Sequence, residues 1–494
     1  RAAARAWPTV RRIVLVLLAF YVVKQLAFVF GFRPFTGHDE VAHYGYLRTV
    51  ATEGRVPVLP DMEEWRAELA TGRVPQIDGL PADLYRYCAY ALYWHCEPDD
   101  PQWASSPPRM VSLGARPGQN CRTNPEHCHP TGEQYAANHP PLYYLLMTPI
   151  YWATSAFSPE AQLYWLRLAA IPFGLATVFL AYRTARALFP GDAFLAVTVP
   201  AFVAFQTQIS YEAAMVNNDI VAIALYSWIL FLLVVGVRER FPRRLCVLLG
   251  FVLGLGLLTK GNALTAAPII ALAIVLAVGW RNVRTWVERG ALVVLPAVVL
   301  AAPWYVFLYR TYGNFDGLEQ IQAIQSWWNE PAGTFFGMMF SRDFVAWRFR
   351  ETWGEFGWRR LPLDPALLWA IAIPLLVAAA GLVWYLVQAV RRGGNGDDPV
   401  LRPRQWQWQG LLVLGVACAV AYLAVLQFGT RFALTQARYF FPVVNAAALL
   451  LMLGLRTLIP RAWSARGQVA VVAALVLLNV VIFAQYVIPY YQNS

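Results

Sequence analysis

Apolar stretches near 20 residues long alternate with short polar turns along the whole chain. Runs of that length match the hydrocarbon thickness of a bilayer, so the pattern predicts transmembrane helices rather than a soluble core. The expected spans are 13–32, 162–189, 192–210, 214–236, 245–259, 263–280, 290–309, 366–390, 409–428, 440–459 and 467–487, eleven in all. The expected architecture is an all-α polytopic membrane protein. Its parts are an N-terminal tail with the first helix (1–32), a large polar loop domain with interfacial helices (33–157), a block of spans (158–310), a second polar loop (311–365) and a final block of spans (366–494). The stretch 141–157, "PLYYLLMTPIYWATSAF", is short for a span and holds Pro149, so it reads as an interfacial helix.

Composition agrees. The 494 residues are 58% hydrophobic and 14% charged, far below the quarter charged that soluble domains carry. The net charge of +11 invites a nucleic-acid reading, but the arginines sit at one end of successive apolar runs. Arg183 and Arg186, Arg238 to Arg244, Arg281 to Arg289, Arg391 to Arg404, and Arg461 with Arg466 all fall on the same side of the alternation. The charge therefore encodes orientation, with a cytoplasmic N-terminus, a retained first span and exoplasmic polar loops. No nucleic-acid partner is expected.

The segment 33–140 holds 14 of the 29 acidic residues and all six histidines. It also holds Cys88, Cys96, Cys121 and Cys128. An even number of cysteines on an oxidising face predicts two disulfides, with Cys88–Cys96 and Cys121–Cys128 favoured by proximity. A metal site with His95, His127 and His129 is the competing reading, although the spacings match no common zinc pattern. Cys246 and Cys418 lie in apolar runs and read as packing residues.

Polar chemistry is most concentrated in "FTGHDEVAHYGYLRTVATEGRVP", residues 35–57. Thr36 and Asp39 have capping-box spacing, while Gly54 and Pro57 mark a stop, so a helix over 38–53 is expected at the membrane surface. Asp39 and His43 then share a face. An acid in a first turn ordinarily does no more than favour the helix dipole. Further ionisable residues at span ends change the weighting: His139 in "NHPPLYYLL", Asp219 in "VNNDIVA", Lys260 in "GLGLLTKGN" and Arg438 in "QARYFFP". Charged groups at membrane depth are functional candidates, with snorkelling the bland account of Lys260 and Arg438.

Taken together, "HDEVAHYGY", "NHPPLYYLL", "VNNDIVA", "GLGLLTKGN", "TWGEFGW" and "QARYFFP" resemble the GT-C superfamily of membrane glycosyltransferases. That superfamily includes protein O-mannosyltransferases and aminoarabinose transferases; the last two motifs point to a bacterial branch of it. The resemblance implies transfer of a sugar, with inversion, from a polyprenyl-phosphate donor to an exoplasmic acceptor that is a glycan, a lipid or a protein. It places the site on the exoplasmic face of a bacterial inner membrane. It implies Asp39 as general base with Glu40 beside it, Arg438 and Lys260 on the donor phosphate, and His43, His139 and Asp219 on the substrate. Whether a divalent metal ion takes part is left open. A carboxylate at a low-dielectric surface is expected to have a raised proton affinity, which suits a base. The chain departs from better-known members in showing no large soluble C-terminal domain and in its cysteine-bearing first loop. The alternatives are a non-catalytic subunit or inactive homologue in a membrane complex, and a transporter, although no repeated halves are visible.

Overall fold

Helices form where the apolar runs stand. The computed structural model describes residues 2–73, 75–84, 87, 109–110, 112–115, 128–324, 330–391, 399–433 and 436–492. Helix α1, Ala2–Gly31, is the first span, and α2, Glu40–Glu53, follows it across the end of the bundle. Helix α3, Met62–Ala70, starts at Asp61, whose carboxylate accepts the Glu63 and Glu64 amides. Two small antiparallel pairs decorate the first loop: β1, Leu80–Pro81, with β2, Arg109–Met110, and β3, Ser112–Ala115, with β4, Cys128–Thr131. In the second pair Ser112 stands opposite Thr131 and Ala115 opposite Cys128. Helix α4, Leu142–Ala153, is the expected short helix containing Pro149.

The next block begins with α5, Pro159–Leu188, whose N-cap Ser158 and first-turn Pro159 fix its start. It continues with α6, Ala193–Phe205, α7, Thr207–Glu212, α8, Asp219–Glu239, and α9, Arg243–Leu257. A 3-10 turn over Gly261–Thr265 runs into α10, Ala266–Val278, and α11, Val283–Tyr312, completes the block. The second loop folds as four short helices, α12 (Leu318–Ala323), α13 (Phe335–Phe340), α14 (Arg342–Trp353) and α15 (Phe356–Arg359), then β5, Leu361–Pro362. Spans α16, Pro365–Arg391, and α17, Gln405–Gly429, lead to a 3-10 turn over Ala437–Val443 and α18, Val444–Leu458. Helices α19, Ser464–Ile482, and α20, Ile488–Gln492, close the chain.

Nine of these helical stretches, among the described residues, are long and apolar enough to cross a membrane by length and composition, against eleven expected. The two others are α6, with 13 residues, and α9, with 15. At ~1.5 Å per residue neither reaches the ~30 Å of a hydrocarbon core. The expected span 192–210 breaks because Gln206 leaves the helix and caps α7 with its own side chain. Helix α9 stops where the chain turns to present Lys260.

One correction concerns the start of α2. The expected capping box does not form. Thr36 donates its hydroxyl to the Arg33 carbonyl, and Asp39 takes the N-cap position in the left-handed region at φ 55° with no side-chain capping bond. Glu40 reaches back to the Gly37 amide instead, at 3.1 Å. Gly54 does cap the other end, at φ 66°.

The main core gathers α1, α5, α6, α8, α10 and α18. Helices α6 and α8 are buried along most of their length, whereas α16 offers much of its surface to lipid. A second core joins α2 to α4 and the start of α5. Tyr44, Tyr46, Tyr143 and Tyr144 are fully buried there and make α2 a rigid platform. Cys88, Cys96 and Cys121 lie outside the described residues, so the expected pairings are untested; Cys128 is buried in β4.

Candidate functional site

The end of α1, the start of α8, the end of α9 and the turn before α18 meet at one end of the bundle. Each loop brings one charge. Arg438 Nη2 donates to Asp39 Oδ2, and Arg438 Nη1 lies 3.4 Å from Asp219 Oδ2. Lys260 Nζ donates to Asp219 Oδ1. The result is an alternating row, Asp39, Arg438, Asp219, Lys260, in which no side chain exceeds 14% exposure. Beside it opens a cavity of about 620 Å³. Asp39, His43, His139, Lys260 and Arg438 line its polar end, and Leu264, Trp304, Tyr305, Phe428 and Tyr439 line its apolar wall.

Local structure explains these placements. The left-handed backbone at Asp39 directs its carboxylate away from the α2 amides, a conformation that Asp tolerates better than most residues. Tyr135 donates to Asp39 Oδ1 at 3.0 Å, so both carboxylate oxygens are engaged. Burial raises the proton affinity of Asp39, but the Arg438 guanidinium overcomes it, with His43 adding, and holds the carboxyl well below the usual carboxylate range. The raised affinity expected from the sequence is thus reversed, because the charge partner outweighs the low dielectric. His43 Nδ1 lies 2.8 Å from the Tyr144 hydroxyl, and burial pushes its pKa down to about 4. His139 Nδ1 accepts from Asn218 Nδ2 at 2.9 Å, and burial holds it well below its ordinary value too. The two rings lie 5.6 Å apart, and burial favours the neutral form of both.

Residues 24–447 match the model of a family described as a predicted membrane protein, DUF2142. The chain belongs to that family. Among solved structures the DUF2142 chain is similar to an oligosaccharyltransferase from Archaeoglobus fulgidus in complex with Zn and sulfate, at 13% identity and a TM-score of 0.43, over 95% of this chain and 52% of that one. It thus spans about half the length of the archaeal protein. It is also similar to ArnT from Cupriavidus metallidurans, in the apo state and bound to undecaprenyl phosphate. Both show 18% identity over 65% of this chain, covering 67% and 68% of the ArnT chains with TM-scores of 0.32 and 0.29. No curated protein sequence matches it.

The DUF2142 site separates the two adjacent carboxylates of the first loop. Glu40 does not line the cavity. It is fully buried on the opposite side, where Arg167 grips it through Nε at 2.8 Å and Nη2 at 2.6 Å. Glu40 also accepts the Val216 amide at 2.9 Å, and Arg167 donates to the Val29, Phe32 and Arg33 carbonyls at the end of α1. This pair ties together the end of α1, α2, α5 and the turn before α8. Asp219 meets the cations rather than the cavity wall. Arg167 and Tyr135 went unnoticed in the sequence; an arginine within the apolar run of α5 was the one available signal. Among the described residues no group of three or more His, Cys, Asp and Glu side chains is placed to hold a metal ion.

Proposed function

We propose that this integral membrane protein is a glycosyltransferase that moves a sugar from a polyprenyl-phosphate donor to an acceptor hydroxyl, with inversion, at the exoplasmic face of a bacterial inner membrane. One observation carries the reading. Residues 39, 43, 139, 260 and 438, scattered over the motifs that resemble the GT-C superfamily, line a single cavity that is charged at one end and apolar along its wall. That division suits a lipid phosphate. Arg438 supports it further, since its Nε and Nη1 have no hydrogen-bond partner among the described residues. Guanidinium donors are well matched to phosphate oxygens.

In this mechanism the acceptor oxygen attacks the anomeric carbon and its proton passes to Asp39. The bond from that carbon to the phosphate oxygen breaks, and its electron pair leaves on polyprenyl phosphate, whose charge Arg438 and Lys260 meet. His43 and His139, both neutral before the donor is seated, orient the sugar hydroxyls. Donor binding also primes the base. A phosphate beside Arg438 competes with Asp39 for the guanidinium, and a unit charge at 4 Å is worth roughly 4 kcal/mol in a partly polar interior. Asp39 therefore regains proton affinity when the donor is seated. Two disulfides within 33–140 complete the proposal.

The test is turnover of a polyprenyl-phosphate sugar by the purified chain and its Asp39→Asn variant. Asn accepts left-handed backbone as readily as Asp, so the fold and donor binding are expected to persist. Loss of proton abstraction is expected to lower the rate by roughly 10²–10⁴. Near wild-type turnover in the variant removes Asp39 from the role. Failure of polyprenyl phosphate to bind the wild-type chain removes the lipid donor.

A further inference from the structure

The motif "ETWGEFGWRR", 351–360, contributes no side chain to the cavity, yet it is dense with buried charge. We infer that Glu351 is a positioning residue for Arg438, and that residues 351–359 form the frame that aims its guanidinium at the donor phosphate. The inference rests on the phosphate role proposed for Arg438.

Glu351 sits in the last turn of α14 and is 6% exposed. Its Oε2 accepts the backbone N–H of Ala437, the residue just before Arg438, at 2.9 Å. The 3-10 turn over Ala437–Val443 has no side-chain cap from its own N-cap residue, Gln436. Glu351 supplies that function from a distant element: a carboxylate satisfies an orphan first-turn amide and meets the positive end of the turn. The carboxylate is itself clamped. Arg348 Nη1 donates to Oε2 at 2.6 Å, and Arg359 Nη2 donates to Oε1. Arg359 also approaches Glu355, which takes Arg350 Nη2 at 2.7 Å.

The frame is bolted to the neighbouring helix. Gln206 and Thr207, at the start of α7, donate to the Thr352 and Trp353 carbonyls, and Gln208 Oε1 accepts the Glu355 amide at 3.0 Å. The end of α7 carries Glu212, whose Oε1 lies 2.7 Å from His38 Nδ1. One polar chain therefore runs from the residue before Arg438 to the residue before Asp39. It fixes the two backbones whose side chains meet in the site.

The experiment is a double-mutant cycle on the full-length chain, read as binding of a short polyprenyl phosphate, with the matching polyprenol as control. Glu351→Asp keeps the charge that Arg348 and Arg359 need but withdraws the oxygen from Ala437. It is expected to weaken binding roughly ten-fold, the scale of one charge-assisted hydrogen bond. Added to Arg438→Ala, Glu351→Asp is expected to cost nothing more, since it acts through the missing guanidinium. Additive losses, or a Glu351→Asp chain that binds as wild type, overturn the positioning role. If Arg438→Ala itself binds normally, the phosphate reading fails instead. Should Glu351→Asp not fold, amide exchange in the wild-type chain decides: the Ala437 amide is expected to be protected, and rapid exchange there overturns the frame.

Discussion

At His43 burial and charge pull in opposite directions, and burial wins. The ring is 2% exposed and its pKa is pushed down to about 4, although Asp39 pulls it the other way. The unfolded chain therefore binds more protons than the folded one between about pH 6.5 and 4, and folding stability falls as the pH falls through that window. The full shift is worth about 3 kcal/mol. Glu133, buried and raised to about 7, works with the opposite sign, its stabilisation being lost as the pH rises from about 4.5 to 7. His139 acts in the same direction as His43. Thermal unfolding of wild type and His43→Gln isolates the difference: the variant is expected to lose less stability on acidification, and parallel curves would show that His43 is not buried neutral. Residue types and spacings made Asp39, His43, His139, Lys260 and Arg438 legible in the sequence. Spacing did not reveal which of two neighbouring carboxylates faces the cavity. The left-handed turn at Asp39 decides that, sending Glu40 to Arg167, and it depends on a partner 127 positions away.

Helix α9 shows how a short element is held among longer ones. Its "GFVLG" stretch packs closely against α11. A Cβ at Gly250 runs into the Val293 carbonyl oxygen, and one at Gly254 comes within 2.9 Å of Leu300 Cβ. Such small-residue seams let helices approach closely in membranes. Gly250→Ala is expected to destabilise the protein by about 1–3 kcal/mol through overpacking, seen as a lower unfolding temperature in detergent. Gly415 on α17 has open space around it, so Gly415→Ala gains helix propensity with no clash and is expected to be neutral or stabilising. Equal effects at both positions would refute the close seam. Hydropathy alone located α9 but gave no reason for its length, which follows from packing against α11 and from the turn that delivers Lys260. The same holds for α6, which ends where Gln206 caps its neighbour.

For the molecule as a whole, the apolar runs and the one-sided arginines made the bundle and its two unlike ends readable. Helix ends bearing Asp39, Asp219, Lys260 and Arg438 meet at one end. The arginine-rich turns lie at the other, where Arg456 Nε donates to Asp192 Oδ2 at 2.9 Å. What pattern could not supply was the pairing among those four charges, since they are drawn from almost the entire length of the chain. Two of them are anionic and two cationic, so the row is formally neutral before any donor arrives. A phosphate entering it leaves uncompensated negative charge in a buried setting, where such charge is costly. Asp39, His43 and His139 line the same cavity, and added negative charge raises the proton affinity of all three. Donor capture is therefore expected to draw protons from solution. Binding heats of a polyprenyl phosphate, measured in buffers of differing ionisation enthalpy, are expected to give a net uptake between zero and one at neutral pH, with affinity falling as the pH rises. A proton count of zero, with affinity indifferent to pH, would mean that the row opens and surrenders a carboxylate to solvent instead.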